Sequence, residues 1–89
     1  PSPRHSVWHM ENARKLMRTD CDRAIRHLES SLDIKPSKQA YSMLVSALLR
    51  AERRDDLHRV LHQGRSSGNK QLTPAPAVQR ALEAAGLQI

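Results

Sequence analysis

Two pairs of histidines, His5 with His9 and His58 with His62, stand four residues apart. On a helix that spacing puts two imidazoles on one side, where both can reach one metal ion. Neither pair has a third ligand at a recognisable spacing, so both read as partly exposed polar residues and no metal or cofactor is expected. Cys21 is the only cysteine and sits between Asp20 and Asp22. The two carboxylates disfavour a reactive thiolate at that helix start, which leaves a small apolar filler. Ser66 and Ser67 lie between Gly64 and Gly68 without a nucleophile motif or a phosphate-binding loop. With no Ser/His/Asp, Cys/His or paired-carboxylate arrangement, an enzyme is not expected.

The elements that carry these residues are legible from composition. The apolar content is Leu, Ala, Val, Ile and Met, with one Trp, one Tyr and no Phe, and the five prolines are Pro1, Pro3, Pro36, Pro74 and Pro76. Strands draw on aromatic and β-branched residues, so this balance favours helices. At 89 residues the chain suits one small domain near the size where a single core becomes marginal. A lone cysteine forms no internal disulfide, which suits a reducing compartment; a cytoplasmic setting is favoured and localisation is otherwise open. The longest apolar run, Met43 to Leu49, is broken by Ser46 and is too short to span a bilayer. The formal charge is +6, and residues 37–73 hold 7 basic against 3 acidic side chains. That excess suits an acidic protein partner, a nucleic acid or an anionic surface, or simply a solvated Arg-rich surface.

Helical spacing of apolar residues predicts five helices. The first runs from about Ser6 to Arg18 with Trp8, Met10, Ala13, Leu16 and Met17 largely on one side. Thr19-Asp20-Cys21-Asp22 then caps a second helix around Ala24, Ile25, Leu28 and Leu32, which Pro36 ends. The third spans about Lys38 to Ala51. Asp55-Asp56 open a fourth around Leu57, Val60 and Leu61, and Gly64 to Asn69 reads as its end plus a loop. Thr73-Pro74 caps a last helix around Ala77, Val78, Ala81, Leu82 and Ala85, stopped by Gly86.

A shift of 33 residues brings the chain into register with itself. Trp8 falls on Tyr41, Met10 on Met43, Leu16 on Leu49, Asp22 on Asp55, Arg26 on Arg59 and Leu28 on Leu61; a second shift carries Val45 onto Val78 and Leu49 onto Leu82. Two helix pairs and an extra helix result. Such pairs cannot bury both apolar faces alone, so they stack, and a terminal helix covers the last face. The expectation is an all-α fold, an α-α superhelix of two helix-turn-helix repeats (about 6–38 and 39–71) with a capping helix at about 74–86. Residues 1–5 would form a flexible leading segment and 6–89 one domain.

Thr19 through Pro36 resembles the second helix of a tetratricopeptide repeat, with Ala24 at the small crossing position, Leu28 at the larger packing position and Pro36 closing. In the second copy Tyr41, Leu44, Ala47 and Leu48 match the first helix, and Leu57, Leu61 and Gly64 the second. Departures are Glu11 and Asn12 in place of a large apolar and a small residue, Thr19 and Glu52 at turns where Gly is usual, and Leu57 for Ala. Ala24 to Leu32 with Tyr41 to Leu49 is also similar to the C-terminal repeats of HemY-like bacterial membrane-associated proteins. The stretch from Ile34 through Tyr41, Leu44, Ala47 and Arg53 to Gly68 resembles the pentatricopeptide pattern, which implies single-stranded RNA binding. Against that, Met43 stands at the base-reading position, and Ala24 to Pro36 is two residues short. Two repeats would also read very few bases.

The tetratricopeptide resemblance implies an adaptor or chaperone-like module that binds a partner peptide or helix on its concave side, lined by the first helix of each pair. By register that surface comprises His9, Ala13, Leu16 and Met17, then Ser42, Ser46, Leu49 and Arg50, then Gln79, Leu82 and Glu83. Ala13 and Ser46 replace the Asn of family members that clamp a C-terminal carboxylate, so a tail receptor is disfavoured. The expected partner is a protein, with an acidic surface fitting the charge; nucleic acid ranks second, and oligomers, a larger complex or a longer solenoid are compatible with the pattern.

Overall fold

The computed structural model describes residues 3–87 of the chain, and side chains from Val7 onward. The described residues are all-α. They form α1 (Pro3–Leu16), α2 (Cys21–Ile34), α3 (Lys38–Arg50), α4 (Arg54–Ser67) and α5 (Pro76–Ala84), with no strand among them. α1 starts at Pro3, three residues ahead of the expected Ser6. Proline is tolerated in a first helical turn because its missing N–H has no helical partner there.

Asp20 caps α2, its carboxylate accepting from the Arg23 N–H at 3.2 Å. Ser37 caps α3 in the same way, accepting from the Ala40 N–H at 3.1 Å. Arg53 precedes α4 at the N-cap position without a side-chain hydrogen bond, and Asp55 and Asp56 in the first turn face the positive end of the dipole. Two ends differ from expectation. α4 continues past Gly64 to Ser67, and the left-handed residue that ends it is Gly68, at φ 67°. α5 is capped at Ala75 rather than Thr73, because Ala75 precedes Pro76 and the proline ring forces it out of the helical region, to φ −64°, ψ 155°.

α3 is the central element. It packs against α2, α4 and α5, and α1 packs against α2. Its buried residues Ala40, Tyr41, Ser42, Leu44, Val45, Ala47 and Leu48 surround much of its circumference, as expected of a helix covered on several sides. α2 buries Ala24, Ile25, Leu28 and Ser31; α4 buries Leu57, Leu61 and Gly64. Ala24, Leu28 and Ser31 fall on Leu57, Leu61 and Gly64 after a shift of 33 residues, so both helices turn the same three positions inward.

The 33-residue spacing also appears in the contacts. The Lys38 N–H donates to Gln71 Oε1 at 3.3 Å, and the Ala75 N–H donates to Ser42 Oγ at 2.9 Å, each across 33 residues. These bonds tie the start of α3 to the segment entering α5. Trp8 meets His27 edge-on at 5.6 Å between ring centroids, and Tyr41 Oη donates to the Val60 carbonyl at 3.1 Å. Each pair is 19 residues apart, and the shift maps one onto the other.

The turn after α3 closes with the Arg53 N–H donating to the Leu48 carbonyl at 3.0 Å, which requires a left-handed residue at Glu52, found at φ 57°. An L side chain pays about 1–2 kcal/mol there and glycine pays almost none. Because glycine also loses more freedom on folding, Glu52→Gly is expected to raise stability by a net of about 0.5–1 kcal/mol. Urea unfolding checks this: the midpoint should rise at unchanged slope, and an unaltered or lower midpoint would show that the turn is not strained.

Candidate partner-binding surface

The residues expected to meet a partner sit on α1, α3 and α5 or just beyond α1. On α3, Ser46 and Leu49 are half-buried and Arg50, its last residue, is exposed. Gln79 and Glu83 are exposed on α5. Leu49 and Ala85 share an open depression of about 450 Å³ with Leu48, Glu52, Arg54 and Leu57, so the ends of α3 and α5 converge on one hollow of mixed polar and apolar lining. Arg50 stands next to Leu49 at that end of α3.

Ala13 and Leu82, expected on this surface, are instead fully buried in the core, and three further residues have other partners. Ser42 is 8% exposed and its hydroxyl receives the Ala75 N–H, so it fastens the entry to α5. Met17 is half-buried against the core just after α1. His9 is half-buried, with Nδ1 2.9 Å from Nδ1 of His27 on α2. His27 had no role in the sequence reading. The signal that reveals it is the register, since His27 is to Trp8 what Val60 is to Tyr41.

Trp8, expected on the apolar side of α1, is 55% exposed, and Val7 beside it is 52% exposed. Their register equivalents Ala40 and Tyr41 are 0% and 3% exposed. Tyr41 gains its burial by lying between α4 and α2, whereas Trp8 has α2 alone on its flank among the described residues.

A second hollow, of about 430 Å³, lies between α2 and α4 over a floor that includes Tyr41, Leu44 and Leu48. On the α4 side, Asp56 accepts from Arg53 Nε at 2.8 Å and pairs with Arg53 and Arg59 guanidinium nitrogens at 2.7 Å each. Arg53 also reaches Asp22 of α2 at 3.4 Å, linking the N-terminal ends of the two helices. These side chains are partly exposed, so their pairing contributes little to stability and mainly sets the shape of the rim. Burial pushes the Tyr41 hydroxyl above its ordinary 10.0. The stability linked to its neutral form is present below that ordinary value and is lost as pH rises through the raised one.

Cys21 is half-buried, its thiol directed at the Met17 carbonyl at 3.1 Å. Among the described residues no three His, Cys, Asp or Glu side chains cluster as a metal would require, and His58 and His62 are exposed. The His5 side chain, half of the other i, i+4 pair, lies outside the described residues. No described helix is long and apolar enough to cross a membrane. No family model, curated protein sequence or solved structure matches this chain.

Proposed function

We propose that this protein is a protein-interaction module of the tetratricopeptide-like kind, which holds a partner peptide or helix along the surface formed by α1, α3 and α5. The observation that supports the reading is that three positions of α2 and the three register-equivalent positions of α4 are buried. Ala24, Leu28 and Ser31 are buried as Leu57, Leu61 and Gly64 are, and the Trp8–His27 and Tyr41–Val60 contacts correspond under the same shift. Stacked helix pairs of this sort present the first helix of each pair along one continuous face, suited to an extended or helical ligand. The hollow bounded by Leu49 and Ala85, with Glu52 and Arg54 in its lining, supplies a mixed polar and apolar seat, and Arg50, Gln79 and Glu83 are exposed polar residues on α3 and α5. Met43 is half-buried against the core, which speaks against the pentatricopeptide reading of a base at that position.

Arg50 is exposed, so charge reversal there spares the core. Arg50→Glu is expected to weaken the partner complex about tenfold, roughly 1.4 kcal/mol, and to leave the helical circular dichroism and melting unchanged. The experiment captures partners from source lysate with and without nuclease, then titrates the recovered ligand and single-stranded RNA against wild type and Arg50→Glu over a salt series. A protein ligand that survives nuclease and loses affinity with the variant supports the module. Tight RNA binding that falls steeply with salt, and no protein ligand, would sink it.

A further inference from the structure

We propose that the hollow between α2 and α4 is a docking site for a cationic amphipathic segment of a partner protein, one that places an apolar side chain in the hollow and a lysine or arginine against Glu29 and Asp33. The site is separate from the surface formed by α1, α3 and α5 and does not rest on the reading of that surface.

The hollow measures about 430 Å³, and half-buried Leu32, Val60 and Leu72 line it together with the floor residues of α3. Its lining runs along α4 from Asp56 to Gly64, about 12 Å at the helical rise per residue, and along α2 from Glu29 to Asp33. It is a groove, and an apolar groove between helices suits a length of chain that anchors a side chain in it.

Charge decides the occupant. The two arginines of the lining are engaged, Arg53 with Asp22 and Asp56, and Arg59 with Asp56. Glu29 and Asp33 stand four residues apart on α2, are exposed, and have neither a hydrogen bond nor an ion pair among the described residues. With Asp56 the lining holds three carboxylates against two guanidinium groups, in a chain of formal charge +6. The hollow is therefore locally negative on a basic protein.

Neither free carboxylate helps its own helix. Like charges at i, i+4 repel each other. Asp33 also lies in the last turn of α2, where the negative end of the dipole disfavours an acid, and that turn contains no basic residue. Under the 33-residue shift Glu29 and Asp33 fall on His62 and Ser66 of α4, so the repeat itself does not call for acids there. A ligand cation held between the two carboxylates removes both penalties at once. Because the chain as a whole repels a cationic ligand, binding of one reports the hollow and not the general field.

The test uses the intact chain and a short fluorescein-labelled amphipathic peptide of leucine and lysine, followed by fluorescence anisotropy, with amide NMR shifts to locate it. The lysine peptide should bind and move the amides of Leu32, Val60 and Leu72; the same peptide with glutamate in place of lysine should not. Glu29→Gln/Asp33→Asn should weaken the lysine peptide at least about tenfold and melt no lower than wild type, since it removes the repulsion within α2. Arg50→Glu, on the other surface, should bind the peptide no more weakly than wild type does. The site would be overturned by no binding of the lysine peptide, by equal binding of the glutamate peptide at the same amides, or by undiminished affinity in the double variant. A lower melting temperature for that variant would make the carboxylates part of the fold and overturn the site too. Amide shifts confined to α1 and α5, or affinity lost with Arg50→Glu, would place the peptide elsewhere and have the same consequence.

Discussion

Leu28→Ala and Leu61→Ala are each expected to cost about 2–4 kcal/mol of folding stability, because each is a buried core leucine that the 33-residue register sets against the first helix of its own pair. Leu28 is fully buried and Leu61 is 6% exposed, and neither has a polar atom whose loss would complicate the comparison. The loss combines the hydrophobic transfer of the deleted carbons with the cavity they leave. For a domain of this length total stability is about 4–13 kcal/mol, so either variant removes a substantial share. Urea unfolding followed by circular dichroism gives the values. If Leu28 and Leu61 are equivalent members of two repeats, their losses are similar; near-neutral effects at both would reject the shared register.

Gly64→Ala is expected to destabilise by a net of about 1–3 kcal/mol, although alanine is the better helix former by about 1 kcal/mol. A Cβ at Gly64 would lie 2.5 Å from Tyr41 Oη, 2.9 Å from the Leu72 carbonyl oxygen and 3.0 Å from Tyr41 Cζ. The Tyr41 hydroxyl is held by its bond to the Val60 carbonyl and cannot withdraw without breaking it, while the Leu72 oxygen is backbone. Tyr41→Phe removes the nearest clashing atom and leaves the other two. The double variant should accordingly be more stable than the sum of the two single losses predicts, by about 0.5–1.5 kcal/mol. Strict additivity in a thermal or urea double-mutant cycle would mean that Tyr41 and Gly64 do not meet as described. An unchanged or raised stability for Gly64→Ala alone would show that the helices part freely.

These two variants test different parts of what the sequence conveys. Leu28 and Leu61 are visible in the residue pattern, because helical spacing and the 33-residue shift both single them out. Residue type makes Gly64 the start of a helix end, whereas the tetratricopeptide resemblance puts it in the second helix of its pair; it lies within α4, where it serves close packing. What it accommodates is an aromatic side chain 23 residues earlier, which local pattern cannot show. The true end, Gly68, lies only four residues on and has the left-handed backbone that glycine permits.

The candidate surface divides in the same way. The register placed Leu49 and Arg50 on the first helix of the second pair and Gln79 and Glu83 on the extra helix, and the structure finds them half-buried or exposed on α3 and α5. It also named Ser42, whose hydroxyl turns out to bind the Ala75 N–H, because the segment before α5 crosses the start of α3 and must pair its backbone. Trp8 was grouped with the apolar side of α1. Type and periodicity give a residue's direction on its helix, but burial depends on what lies opposite, and opposite Trp8 stands the polar His27.

By itself, then, the sequence determined the all-helical character, the approximate helix limits, a cap within Thr19-Asp20-Cys21-Asp22 and the inward Ala24, Leu28, Leu57 and Leu61. All of these follow from backbone preference and periodicity acting over a few residues. Tertiary structure decided the rest: which glycine lies under a ring, which serine ties down a loop, and which histidines come together from different helices. Those outcomes depend on distances between residues 18 to 33 positions apart, set by how helices pack and carried by no local pattern.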